Sequence, residues 1–337
     1  MTDISRRHLL SGAAAVGSTL AFPSIVWGQA QFNLKCANIM PSDHPLNVRL
    51  REASDRIKEQ TNGQVNIQVF PASQLGNDAD MLSQLRAGGI DYFVQTGLIL
   101  ATLVPVASIN GIGFAFSDYN KVWQAMDGAV GKHVINGFAK ANLLAFDKMW
   151  DNGFRQITTS TRPIRTPEDL KNFKIRVPVV PLWVAMFKTL GAAPVSLPLS
   201  EAYQALQTKV ADGQENPLAL IESAKFFEVQ KYCSVTNHSW DGFWFVANKS
   251  IWQGVPADLQ QLISRHINAA ARRQREDIAK ANLDLQKQLE AKGMVFNNVD
   301  TTAFRKTLQN AGFYAQVKEK FGPEAWALLQ PFVGQTA

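Results

Sequence analysis

Cysteine is scarce in this chain, with two in 337 residues, Cys36 and Cys233. There is no C-x-x-C pair, no H-E-x-x-H, and no G-x-G-x-x-G following a strand-like run. Those gaps remove the common thiol-redox, zinc and dinucleotide signatures. The histidines after residue 30 (His44, His133, His238 and His266) are too scattered to suggest a metal site. Neither metal nor cofactor is therefore expected. Long apolar runs are lacking as well. The stretch Leu9–Trp27 is only weakly apolar, and Ser11, Gly12, Gly17, Ser18 and Pro23 interrupt it. A membrane span needs about 20 mostly apolar residues, so this stretch is not read as one. Low-complexity tracts and heptad arrays are also missing. Formal net charge is +6, and +5 once Asp3, Arg6 and Arg7 are set aside. A modest positive balance suits anionic ligands. With no basic cluster interleaved with aromatics, nucleic acid is not an expected partner. The densest basic run, Arg272, Arg273 and Arg275, lies beside Glu276 and Asp277 and reads as a solvated helix face.

What the chain does have begins at its N-terminus. Ser5–Leu10 reads S-R-R-H-L-L, the weakly apolar stretch follows, and Gly28–Ala30 supplies small residues for cleavage. Residues 1–30 are read as a cleavable export signal, and the Arg6–Arg7 pair points to the twin-arginine route. The mature protein would start at Gln31 and work in the periplasm. Cys36 and Cys233 could pair in an oxidising compartment. Both sit in apolar strand-like runs, which favours two separately buried thiols.

The remaining length is enough for two domains. Phe32–Asn38, Val65–Phe70 and Ile90–Gln95 read as strands. Between them, Leu46–Thr61 and Ala79–Ala87 read as helices, the first striped by Leu50, Ala53 and Ile57. This β-α-β-α-β rhythm predicts a mostly parallel sheet flanked by helices, with ligands beyond the carboxyl ends of its strands. His44 and Gln95 would then stand near a cleft mouth. The rhythm restarts after Leu143–Trp150. Phe173–Val177 is a strand, Leu182–Leu190 a helix, and Ser200–Thr208 a helix with Ser200 as N-cap. From Pro256 a helical period runs to Gly293, some 34 residues and about 50 Å. It reads as one helix braced across both domains. The alternative is two helices broken near Arg272–Arg275.

Three fragments carry the chemistry: D-N-G-F-R at Asp151–Arg155, I-R-V-P at Ile175–Pro178, and D-G-Q-E-N-P at Asp212–Pro217. They bring two arginines and an amide, each beside a chain-breaking residue. Guanidinium is planar, permanently charged and matches a carboxylate with two parallel bonds. Asn216 can donate or accept. The set suits gripping an acid better than any common catalytic scheme.

Longer matches make the chain familiar. They are F-P-A-S-Q-L-G at Phe70–Gly76, N-G-F-R at Asn152–Arg155, L-K-N-F-K-I-R-V-P at Leu170–Pro178, and L-G-A-A-P at Leu190–Pro194. Ser200–Pro217, Lys225–Tyr232 and Thr236–His238 extend them. On these residues the chain resembles the solute-binding subunit of tripartite ATP-independent periplasmic (TRAP) transporters, of the DctP type. The resemblance implies an α/β fold of two lobes, each a mixed sheet flanked by helices, with a long helix spanning both. Lobe I would hold residues 31–153 and 242–275, and lobe II residues 154–241 and 276–337. It implies capture of a small organic-acid anion between closing lobes and delivery to the small and large membrane subunits. Arg176 would make the two-pronged carboxylate contact, with Arg155 and Asn216 beside it and Glu215 in a structural role. Gln95 and His44 are the first-lobe candidates.

Departures from the family bear on the ligand. Val179–Trp183 is apolar where sialic-acid binders are polar, Leu199 stands where an aromatic often lies, and Trp240 and Phe243 follow T-N-H. With Trp183 these predict a less polar pocket, for a short hydroxy or oxo acid or an aromatic carboxylate. A C4-dicarboxylate or a sugar acid is the alternative within the family. Outside it, an exported hydrolase or lyase would have to use Asp241 and His238, and a sensor module would have no membrane partner.

Overall fold

The computed structural model describes residues 31–333. The export signal read over residues 1–30 lies outside them. No helix among the described residues is long and apolar enough to cross a membrane.

Eleven strands form one continuous sheet: β1 Phe32–Asn38, β2 Val65–Phe70, β3 Tyr92–Thr96, β4 Leu143–Ala145, β5 Trp150–Thr159, β6 Lys174–Val177, β7 Ala193–Ser196, β8 Gly213–Pro217, β9 Tyr232–Val235, β10 Trp240–Asn248 and β11 Val295–Asn298. The main order is β2-β1-β3-β10-β5-β8-β6-β7, with β4 on β10, and β9 and β11 extending from β5. β1 runs parallel to β2 and β3, and β6 parallel to β7 and β8. The expectation of a mostly parallel sheet fails in the middle, where β10 is antiparallel to β3 and β5, and β5 antiparallel to β8 and β9. The reason is topological. β5 pairs with β10 through Phe154 and with β8 from Arg155 onward, so it leaves the first half of the sheet. β10 returns to that half and must run against its neighbours.

Local signals explain most elements. His44 caps the helix Pro45–Gln60 by accepting the Leu46 N–H on Nδ1, and Leu46, Leu50, Ala53 and Ile57 are buried along it. Asn77 and Asp80 form a capping box on the helix Asp78–Ala87, and Gly88 ends it at φ +77°. The third strand runs Tyr92–Thr96 where the sequence predicts Ile90–Gln95, and two further elements differ more. Leu143–Trp150 is not one strand, because pairing stops after Ala145 and resumes at Trp150. The helix Leu199–Gln207 is capped by Pro198, not by Ser200. Proline's fixed φ delivers the chain into the helix with the cap two residues earlier.

The long helix is single, Ala257–Ala291, with 35 residues. Its first half packs on Pro45–Gln60, and just past its middle Asp277 pairs with Arg49 at 2.6 Å. Its second half buries Ile278 and Leu285 against Ala219. At its middle, buried Gln274 accepts the Asp151 N–H (2.8 Å) and donates to the Asp151 carbonyl (2.7 Å). The basic run there is no plain solvated face. Arg275 pairs with Asp127 at 2.8 Å, donates to the Met149 carbonyl and lies 3.8 Å over the Trp123 ring. Cys36 and Cys233 are both buried and unpaired, as the apolar runs around them predict.

Candidate functional site

The crossing strands β5 and β10 form the floor of the site. Gly153 in β5 sits at φ +119°, where a side chain is strained, and a Cβ there would come within 3.2 Å of Pro217. The pairing of β5 with β10 skips Asn152, so the register shifts there and β5 carries the extra residue opposite Asp241 and Gly242. Such a shift bends a strand and re-aims its side chains. Asn152 and Asp241, on the two strands at this shift, line a cavity of about 30 Å³. That is room for about two water molecules, since one needs roughly 10–15 Å³ by the same measure. One wall brings Ile39, Met40, Asp78, Gln95, Thr96 and Ile99, and the other brings Arg155, Arg176, Pro178, Leu199, Asn216 and Leu220.

The two arginines are in different electrical situations. Arg155 is buried and fully answered. Its Nε donates to Glu215 Oε2 at 2.5 Å and its Nη2 to Glu215 Oε1 (3.0 Å) and Asn216 Oδ1 (2.6 Å). Asp241 Oδ2 is 3.5 Å from its Nη1, and the Trp183 ring lies 4.4 Å from the guanidinium carbon. Burial pushes Glu215 up, but Arg155 and His238 outweigh it and hold the carboxyl below its usual range. Arg176 is 1% exposed and donates from Nε and Nη2 to the Leu197 carbonyl, at 3.0 and 2.6 Å. Among the described residues no carboxylate lies within 4.0 Å of it. Burial lowers its pKa to about 10, so it stays charged at neutral pH. A buried charge without a partner is costly, and an anion placed beside it removes that cost.

The remaining candidates divide. Asn216 and Leu199 line the cavity, as does Gln95, whose Nε2 donates to Asp78 Oδ1 at 2.7 Å. Four do not line it. His44 is a helix cap facing Phe243 edge-on, and burial lowers its pKa to about 4. Trp183 supports Arg155 and donates Nε1–H to the Gly111 carbonyl. Trp240 donates to Asp151 Oδ1 at 3.0 Å within one core cluster, and Phe243 packs in another. Plain alternation along β10 sends Trp240, Trp244 and Val246 to one core cluster and Phe243, Phe245 and Ala247 to the other, so both aromatics are spent on the core. His238 and Asp241 form no catalytic pair. The His238 ring contacts Glu215 (3.2 Å) and Thr236 (2.8 Å), and His238 does not line the cavity.

Sequence reasoning passed over Asp78, which reads as one acid of a helix-capping N-D-A-D run, and gave Asn152 no role. A larger hollow of about 650 Å³, bounded by Phe146, Trp252, Gln260 and Asn268, opens on the surface. It carries Asp147 and Asp258 but no basic side chain, so an acid would find no counter-charge there.

Residues 36–318 match the family DctP, described as bacterial extracellular solute-binding protein, family 7. The chain is 34% identical over 278 residues to the 2,3-diketo-L-gulonate-binding periplasmic protein of Escherichia coli (strain K12), covering 82% of each. Among solved structures it is similar to a TRAP periplasmic solute-binding protein from Sulfurospirillum deleyianum with bound succinate. That match has a TM-score of 0.85 and 28% identity, over 90% of this chain and 100% of the other. It is similar as well to one from Polaromonas sp. JS666 bound to D-erythronate. There the TM-score is 0.85 and identity 29%, over 90% of this chain and 100% of that one.

Proposed function

The chain belongs to the DctP family of bacterial extracellular solute-binding proteins, and on that premise we propose that Arg176 anchors the carboxylate of a small organic acid in the cavity. A TRAP solute-binding protein captures its acid outside the cytoplasmic membrane and hands it to the transporter's membrane subunits. The observation that carries the residue assignment is the contrast between the arginines: Arg155 is neutralised by Glu215, while Arg176 is buried with no carboxylate within 4.0 Å. Arg155, held over Trp183, and Asn216 complete the acid-binding wall. Gln95 and Leu199 contribute from their two sides of the cavity. The compartment is the periplasm.

The lobes in this reading are residues 31–153 with 242–275, and 154–241 with the rest. The boundary at 153 and 154 falls one residue before β5 changes partners, and the boundary at 241 and 242 falls where the pairing of β5 with β10 shifts register. A ligand touching both walls favours the closed arrangement, because only there are all contacts made. The acid is small, with hydroxyl or oxo groups or an aromatic end. Relatives named for 2,3-diketo-L-gulonate and D-erythronate support the hydroxyl and oxo reading, and one with bound succinate lacks both groups. Isothermal titration of the purified protein against such a panel tests the reading. One acid bound per chain and recovered unchanged supports it. Consumption of the acid, or no binding by any panel member, overturns it.

A further inference from the structure

We propose that the cavity selects a hydroxylated monocarboxylate, with Asp78 and Asp241 accepting from its hydroxyls and excluding acids that carry a second carboxylate. This rests on the reading that Arg176 holds the ligand's one carboxylate.

The cavity's ionisable groups are three carboxylates, Asp78, Asp241 and the Glu215 behind Arg155, against two guanidiniums. Glu215 already takes Arg155. Only Arg176 is left to answer charge brought by the ligand, and a second ligand carboxylate would meet Asp78 or Asp241 with no cation to spare. Like charges brought together at a buried interface cost several kcal/mol.

Hydrogen-bond directions point the same way. Gln95 Oε1 accepts the Thr96 N–H at 2.7 Å, which turns its NH₂ toward Asp78 and makes Asp78 Oδ1 an acceptor. Asp78 opens the helix Asp78–Ala87, where the helix dipole favours its ionised form. Burial raises its pKa, while Arg176 and Gln95 hold it back. Asn152 donates Nδ2–H to Asp241 Oδ2 at 3.2 Å, so its Oδ1 faces inward, buried and without a partner. Asp241 Oδ1 accepts the Gly242 N–H at 2.9 Å. Asn216 has both amide atoms engaged, with Arg155 and Gln214. The cavity therefore offers one guanidinium free of a carboxylate, Arg176, with the Thr96 hydroxyl as a neutral donor, and several acceptors. The cavity as it stands has room for about two waters, so its walls must part to admit an acid, which then presents a carboxylate to Arg176 and O–H donors to Asp78, Asp241 and Asn152. The wider fold does not decide between acid types, since its solved relatives include one with succinate and one with D-erythronate. These side chains do.

The test compares two four-carbon acids, D-erythronate and succinate, by isothermal titration at about pH 7.5. Wild type should bind erythronate at least about tenfold more tightly than succinate. Asp78→Asn and Asp241→Asn should each shrink that ratio by about threefold or more, chiefly by improving succinate. The wild-type ratio decides even if one variant misfolds. The proposal is overturned if wild type prefers succinate, if its best acid has no hydroxyl, or if both folded variants leave the ratio unchanged. Binding by no acid at all is a different result, because it removes the capture reading itself.

Discussion

Arg176→Ala separates a charge held for a ligand from a charge held for the fold. Arg176 makes its protein bonds only to the Leu197 carbonyl. Removing it leaves that acceptor short, a loss of about 1 kcal/mol, and also removes a buried charge with no partner. Those effects oppose each other, so unfolding stability should move by less than about 2 kcal/mol. Binding should suffer far more. Truncating one partner of a buried charge pair costs about 2–5 kcal/mol. At about 1.4 kcal/mol per decade, affinity should fall roughly 30- to several-thousand-fold. Arg155→Ala is the control of opposite kind. It strands Glu215, which is 0% exposed, and breaking a buried pair costs about 3–5 kcal/mol of stability. Titration calorimetry against the best panel acid gives the binding loss, and thermal unfolding without ligand gives the stability change. The reasoning is refuted if Arg176→Ala keeps wild-type affinity. It is refuted equally if Arg176→Ala melts as low as Arg155→Ala.

Two further outcomes follow from the crossing strands. Burial raises the Asp151 pKa to about 7, against the bonds it accepts from Trp240 and Tyr119. A raised carboxyl takes up a proton more readily folded than unfolded, so its contribution to stability grows as pH falls from about 8 toward 4. Buried His44, lowered to about 4, works in the opposite sense between about 6.5 and 4. The wild-type minus Asp151→Asn difference in chemical-denaturation stability isolates the carboxyl, and it should become more positive toward acid; a flat difference sinks the assignment. Gly153→Ala places a Cβ at φ +119° and 3.2 Å from Pro217. It should cost about 1–3 kcal/mol, read as a lowered melting temperature; an unchanged melt would show that β5 relaxes freely there.

The sequence is most readable where a signal is local and periodic. Leu50, Ala53 and Ile57 mark a helix face because residues three and four apart share a side, and all three are buried. The helix from Ala257 to Ala291 keeps its period without an internal breaker, and Gly293 closes it at φ +95°. Arg176 is recognisable because a guanidinium ending an apolar strand before a proline has few structural uses. The pairing direction of β5 and β10 is not readable, since it depends on strands far apart in sequence. Nor is the core role of Trp240 and Phe243, because alternation puts them on opposite faces and both faces of β10 are covered by elements far apart in sequence. Asp78 escaped notice because a carboxylate at a helix start already has a local explanation. The same residue can serve the helix and the cavity at once.

Gln274 has a mechanical consequence. It grips both backbone polar groups of Asp151 from the midpoint of a helix about 50 Å long. Two strands and that helix thus pass through one small region as unbroken secondary structure. Motion between the halves must flex hydrogen-bonded ladders; it cannot swing on a slack tether. Such a joint behaves as a leaf spring, with a preferred resting curvature and a restoring force. The work of bending it is drawn from ligand binding and returned when the ligand leaves. Stiffness at Gln274 and Asp151, one residue from Asn152 on the cavity wall, would then set how readily the acid is released.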